Sequence, residues 1–214
     1  PTNEENNTLG FFKYENAWYR KKFNLPEEDI GRRLTLLFDG VATHATIYLN
    51  GCLLKHNFCG YNSFEVDITD FVKFGEGTDN ENVLAVYVQS TEFEGWWYQG
   101  GGIYRNVWLT VTEPVAVDLW GAYVRPEQLS ETNWRAATEV TVRNDTQTRK
   151  SVRVLCELLD ADGHVLAEAS AARLIPWREK STLTCNLDVT SPRLWSPDDP
   201  YQHTMRVTVY CGKR

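Results

Sequence analysis

The sequence predicts an all-β protein made of two antiparallel sandwiches in tandem. Three observations carry this reading. Apolar and polar residues alternate along most of the chain, the period of a strand with one face buried. The alternating runs are short and are bounded by clusters of Asn, Gly, Asp and Pro, which punctuate strands rather than helices. No helical pattern separates the runs, so the strands have no crossovers and pair antiparallel.

In the first half, "RLTLLFD" places Leu34, Leu36 and Phe38 on one face, and "ATIYLNG" does the same for Ala45, Ile47 and Leu49. "FEVDIT" sets Phe64, Val66 and Ile68 against Glu65 and Asp67, and "NVLAVYV" and "NVWLTV" continue the pattern. Asn50-Gly51 stands between two apolar runs, a strong hairpin signal because both residues tolerate positive φ. After Pro114 the alternation resumes. "EVTVRN" aligns Val140 and Val142, and "SVRVLCEL" aligns Val152, Val154, Cys156 and Leu158. "STLTCNLDV" aligns Leu183, Cys185, Leu187 and Val189, and "TMRVTVYC" aligns Met205, Val207, Val209 and Cys211. "HVLAEASAARLI" has helix-favouring composition, but Gly163 and Pro176 leave room for little more than a strand. Two domains follow, residues 1–113 and 114–214.

Composition narrows the function. The chain has 214 residues and a formal net charge of −7, with no basic run longer than "YRKKF", so nucleic acid is not an expected partner. No stretch approaches the roughly 18 apolar residues of a membrane helix, and no membrane partner is expected. Five cysteines, an odd number without a CxxC pair, indicate neither a disulfide framework nor a zinc site. Cys156, Cys185 and Cys211 share registers with aliphatic residues and are expected to be buried free thiols. These thiols leave a cytoplasmic and a periplasmic location equally open. The histidines (44, 56, 164 and 203) show no metal-ligand spacing. No GxSxG, HExxH or phosphate loop is present, and no catalytic residue, metal or cofactor is expected. The acids Glu65, Asp67, Glu139 and Asp188 alternate outward and read as a solvated face.

One stretch departs from strand logic. "GWWYQGGGIYRNVWL" crowds Trp96, Trp97, Tyr98 and Gln99 against Gly100, Gly101 and Gly102. Large rings on such a loop form a sugar platform, a docking surface or a corner of the core. A ring face stacks on the apolar face of a pyranose, and an amide meets its hydroxyls. The glycines allow positive φ and close backbone approach. Arg105 is expected to hold the loop base to a carboxylate or to carbonyls. Trp108, on a regular strand, is expected to be buried.

The runs "AWYRKKFNLP", "LLFDGVATHATIYLNG", "GYNSFEVDITDFV", "NVLAVYV" and "EGWWYQGGGIYRNVWL" occur in the order and spacing of a known domain. Together they resemble the N-terminal sugar-binding domain of glycoside hydrolase family 2, which includes β-galactosidases, β-glucuronidases and β-mannosidases. The tail "SPRLWSPDDPYQHTMRVTVY" is similar to the end of that family's immunoglobulin-like second domain. The resemblance implies a jelly-roll, galactose-binding-like β-sandwich followed by an immunoglobulin-like β-sandwich. It also implies that the catalytic glutamates lie on a TIM barrel that follows, and a barrel alone takes about 250 residues. The chain is therefore expected to be a non-catalytic front part of a retaining, β-galactosidase-like hydrolase, with the barrel as partner and a β-galactoside or related carbohydrate as substrate. Trp96, Trp97, Tyr98 and Gln99 would wall the sugar pocket or dock the barrel. The second domain is expected to lack its final strand, leaving an edge for a homodimer. An autonomous carbohydrate-binding module and a two-sandwich interaction protein are the alternatives.

Overall fold

The structure, a computed structural model, describes residues 15–90 and 100–212. It divides into two compact units, Pro1–Thr112 and Glu113–Arg214. The first contains strands β1 (Ala17–Phe23), β2 (Arg33–Phe38), β3 (Val41–Ala42), β4 (His44–Leu49), β5 (Cys52–Asn57), β6 (Phe64–Asp67), β7 (Asn82–Gln89), β8 (Gly102–Ile103) and β9 (Val107–Thr112). One sheet runs β1-β7-β4-β5 and a second runs β6-β2-β9, while β3 and β8 pair as a small third sheet. All pairings are antiparallel.

The alternation read from the sequence is the core of this unit. Leu34, Leu36, Phe38, Ala45, Ile47, Leu49, Phe64, Val66 and Ile68 are all buried in one cluster with Leu84, Val86 and Val88. Phe38 and Phe64, cross-strand partners, stack with ring centroids 4.9 Å apart. The Asn50-Gly51 turn has positive φ at both residues (51° and 84°). The buried Asn82 stabilises it: its Oδ1 accepts from Asn50 Nδ2 at 2.9 Å and from the Lys73 amide at 2.8 Å. Asn82 Nδ2 donates to the Lys73 carbonyl at 2.8 Å, so this buried amide is satisfied on both sides.

The second unit contains β10 (Val115–Gln128), β11 (Asn133–Asn144), β12 (Lys150–Leu159), β13 (Val165–Ile175), β14 (Glu179–Thr190) and β15 (Thr204–Cys211). Its two sheets run β10-β11-β14 and β13-β12-β15. They enclose Val140, Val142, Val152, Val154, Cys156, Ile175, Leu183, Cys185 and Leu187. The segment with helix-favouring composition is a strand, β13. Asn144 organises the turn after β11. Its Nδ2 reaches the carbonyls of Thr148, Ile175 and Pro176 at 2.9–3.1 Å, and its Oδ1 accepts from the amide and hydroxyl of Thr146.

A bulge interrupts β10. Five steps from Val117 to Ala122 answer two steps on β11, from Val142 to Val140. Asp118 is held there by Lys180 at 2.5 Å. Trp120 adopts a left-handed conformation (φ 55°) and is 78% exposed. Gly121 makes the turn possible, because a β-carbon there would lie 2.7 Å from the Thr141 carbonyl oxygen and 2.8 Å from that of Asp118.

Cys211 corrects one expectation. Cys156 and Cys185 are buried, but Cys211 is exposed. Its register is the inward one, shared with Met205, Val207 and Val209, which pack against the core. Cys211, however, is the last residue of β15, an edge strand among the described residues, and lies past the end of the core. Register assigns a face, while depth depends on what covers that face.

Two outcomes follow from this packing. Both clashes at Gly121 are with backbone, which cannot yield as a side chain does. Gly121→Ala should lower stability by about 1–3 kcal/mol, the range for forced overpacking, read as a lower denaturant midpoint with unchanged slope; an unshifted midpoint contradicts the bulge geometry. A thiol titration of native protein should find Cys52 and Cys211 reactive and Cys156 and Cys185 silent until unfolding. Burial first, and the neighbouring Cys185 thiol second, push the Cys156 thiol up to about 12, and the thiolate is the reactive form.

Candidate functional site

The aromatic-glycine stretch is the candidate site, and the structure describes the two stems that bracket it. Trp96, Trp97, Tyr98 and Gln99 lie outside the described residues. On one side, β7 ends at Gln89, and the Ser90 hydroxyl donates to the Glu15 carbonyl at 2.7 Å. On the other, Gly101 stands against Ser90: a β-carbon at Gly101 would come 2.5 Å from Ser90 Cβ and 2.6 Å from its Oγ. Gly102 is buried with φ 118°, and a β-carbon there would collide with the Tyr19 hydroxyl. Gly102 and Ile103 then pair with Ala42 and Val41. The glycines are thus unequal. Gly102 needs its positive φ and Gly101 needs the close approach, whereas Gly100 faces open space.

The residue that ties down the stem is Tyr104. Its hydroxyl donates to the Gly60 carbonyl at 2.7 Å, and its ring occupies the space a side chain at Gly40 would need. Arg105 was the residue expected to do this. It is exposed and makes no hydrogen bond or ion pair among the described residues.

Trp108 corrects a second expectation. It is 52% exposed, not buried. Trp108 faces Leu37 across the β2–β9 ladder, in the register opposite to Val107, Leu109 and Val111, so alternation turns it outward. Its Nε1 donates to Asp39 Oδ2 at 2.9 Å. The size of the ring suggested burial, and the period of the strand decides against it.

In the second unit, the "LWSP" turn is closed on itself. The Ser196 amide donates to the Asp199 carbonyl at 2.9 Å, and the Asp199 amide donates back to that of Ser196 at 3.1 Å. Arg193 forks onto the Asp199 carboxylate at 2.8 and 2.6 Å. That guanidinium holds the Asp199 carboxyl below the usual carboxylate range. Trp195 is left exposed on this rigid turn. One group escaped the spacing rule applied to histidine: Asp160, Asp162 and His164 have ligand-type atoms within 4.8 Å of one another. The backbone amides of Asp162 and His164 donate to Asp160 Oδ1 at 2.9 and 2.8 Å. The His164 amide bond comes first among the causes that hold the Asp160 carboxyl below its ordinary range. The trio is explained as a turn cap.

The stem geometry has a direct test. Gly101→Ala and Gly102→Ala should each destabilise the first unit, while Gly100→Ala should leave its melting curve within the ±0.5 kcal/mol of an ordinary surface change. Equal effects at all three positions would contradict the assignment of the close approach to Gly101 and Gly102.

Comparison with known proteins places this geometry in a family. Residues 1–99 match the family model described as the glycosyl hydrolase 2 galactose-binding domain-like domain, and residues 117–214 match the model of glycosyl hydrolases family 2. The β-galactosidase BoGH2A of Bacteroides ovatus is 36% identical over 190 residues, covering 88% of this chain and 22% of that protein. A β-glucuronidase of Formosa agariphila is 31% identical over 208 residues, covering 87% of this chain and 21% of that protein. Among solved structures, a β-glucuronidase from glycoside hydrolase family 2 superposes with a TM-score of 0.84 at 29% identity, over 92% of this chain and 22% of that one. The Bacteroides uniformis β-glucuronidase gives 0.83 at 26% identity, over 92% and 24%. The chain spans about a fifth of the length of these curated relatives. With both of its units matched in order by models of one family, the chain belongs to glycoside hydrolase family 2.

Proposed function

We propose that the chain forms the non-catalytic front part of a retaining glycoside hydrolase acting on β-galactosides or closely related β-glycosides. In such enzymes one carboxylate forms a covalent glycosyl intermediate and a second serves as acid and then base. On this reading both carboxylates lie on a TIM barrel elsewhere in the protein, and the chain contributes scaffold and positioning. The observation that carries the reading is the one-fifth span of the relatives by the family's two all-β domains.

The segment with Trp96, Trp97, Tyr98 and Gln99 is the proposed edge of the sugar pocket and the contact to the barrel. Its support is the stem. Ser90, Gly101, Gly102 and Tyr104 leave the stem little freedom to shift, and fixed ends lower the entropy a segment loses when it meets a partner. The free edge of β15, which pairs only with β12 among the described residues, is where a final strand or a second copy of the chain would add.

Two measurements test the reading. Purified chain should not turn over p-nitrophenyl β-galactoside or β-glucuronide; turnover that disappears when an acid of this chain is replaced would contradict it. The double variant Trp96→Ala, Trp97→Ala should alter the stability of the chain by no more than about 0.5 kcal/mol, as surface changes do. A loss of roughly 3–5 kcal/mol, the cost of truncating a buried aromatic, would make the rings a core corner and withdraw them from the pocket.

A further inference from the structure

The outer face of the β1-β7-β4-β5 sheet carries an aromatic strip that neither the family match nor the pocket reading accounts for. Alternation puts Val86 and Val88 of β7 and Ala45, Ile47 and Leu49 of β4 inside. The residues between them face out. Across the sheet the cross-strand register aligns Trp18 with Tyr87, Tyr87 with Thr46, and Thr46 with His56. One row along, Arg20 aligns with Ala85, and Ala85 with Tyr48.

Trp18 does not stand up from this face. Its ring centroid is 4.8 Å from that of Tyr87 on the next strand and 5.7 Å from that of Tyr48 two strands away. Two strand spacings amount to about 9.6 Å, so the indole is laid across β7, over the small Ala85. The ring is tilted 35° to both tyrosines and remains 59% exposed. At the far side of the sheet, Phe58 is 72% exposed and packs against His44 and His56 at centroid distances of 5.7 and 6.0 Å. Between these ends lies polar ground. The exposed His56 is held by the buried Thr46, whose hydroxyl lies 2.8 Å from His56 Nδ1, and Arg20 is exposed on the same face as the indole.

We propose that this strip is a carbohydrate-binding platform of the chain itself, taking a short β-linked galacto-oligosaccharide. The indole face stacks on the apolar face of one pyranose, and Arg20, His56 and the Tyr48 and Tyr87 hydroxyls meet the sugar hydroxyls. Galactose suits a flat ring because its axial 4-hydroxyl leaves the opposite face a continuous patch of C–H groups. With the indole over β7 and Phe58 at the end of β5, the two exposed rings are about two strand spacings, roughly 10 Å, apart, which calls for an oligosaccharide rather than a monosaccharide. Arg20 and the Lys22–Glu81 ion pair border the strip with charge. The proposal goes beyond the pocket reading and rests only on membership in a carbohydrate-active family.

The test uses the chain as it is, with β-1,4-galactotetraose as probe, followed by calorimetry and by the indole N–H signals of the tryptophans. Saturable binding that shifts an indole signal assigned to Trp18 is expected, with at least a tenfold loss of affinity in Trp18→Ala and an unchanged affinity in Trp96→Ala, Trp97→Ala. Trp18→Leu, which keeps apolar cover on the strand, should lose binding like the alanine variant while retaining the parent melting temperature. Absence of saturation at tens of millimolar overturns the proposal. So does binding that survives Trp18→Leu, or binding lost only in the Trp96, Trp97 double variant, which would place the sugar on the loop. A concentration-dependent dimer abolished by Trp18→Leu would make the strip a protein contact and also overturn it.

Discussion

Gly101 and Gly102 lie so close to Ser90 and Tyr19 that a side chain at either position has nowhere to go, and the candidate site depends on that contact. It draws the end of β7 and the start of β8 together, so Ser90 and Gly101 are held side by side. The β3–β8 pairing then anchors the stem to the chain between β2 and β4, and the Tyr104 bond to Gly60 adds a second fixed point. Glycines are needed because the backbone runs so close to the Ser90 and Tyr19 side chains that a β-carbon would overlap them, and one position also needs positive φ.

Strand alternation has a consequence on each face of the first unit. Inward positions of β4 and β7 form a core of aliphatic residues. Outward positions of the same strands, together with Trp18 of β1, form the aromatic strip. The core requires the strands in one register, and that register alone brings Trp18 beside Tyr87 and Thr46 beside His56. The platform is therefore inherited from the sandwich, and a one-residue slip in pairing would destroy both. The second unit uses the same logic with a different exception: the bulge at 118–121 trades regular pairing for an exposed Trp120, held by the Asp118–Lys180 pair and the bare backbone of Gly121.

Much of this was legible in the sequence, for a physical reason. The inward sets Leu34, Leu36, Phe38 and Leu183, Cys185, Leu187 were readable because period-two alternation directly encodes a half-buried strand. The Asn50-Gly51 turn was readable because its φ requirements restrict the residues that fit. Cys211 and Trp108 were misread because alternation gives a face but not a depth, and ring size is a weaker guide than register. Tyr104, Ser90 and the Trp18 strip were not legible at all. Each depends on which strands become neighbours, such as β1 beside β7 across some sixty residues of chain, and a single sequence states no such pairing. The bulge in β10 was hidden because "DLWGAY" reads as continued alternation unless the crowding around Gly121 is known.

The central claim is that the stem of the aromatic loop is a rigid part of the sandwich. Native-state amide hydrogen exchange at Ile103 tests it most directly, with Val86 of β7 as an internal reference for the core and Gly100 as a reference for an open position. The account predicts that Ile103 is protected to nearly the extent of Val86, because its strand pairs with β3 and its neighbours are packed by Tyr19 and Tyr104. Exchange at Ile103 as fast as at Gly100 would mean that the stem opens freely, and would contradict the claim that it is a rigid part of the sandwich.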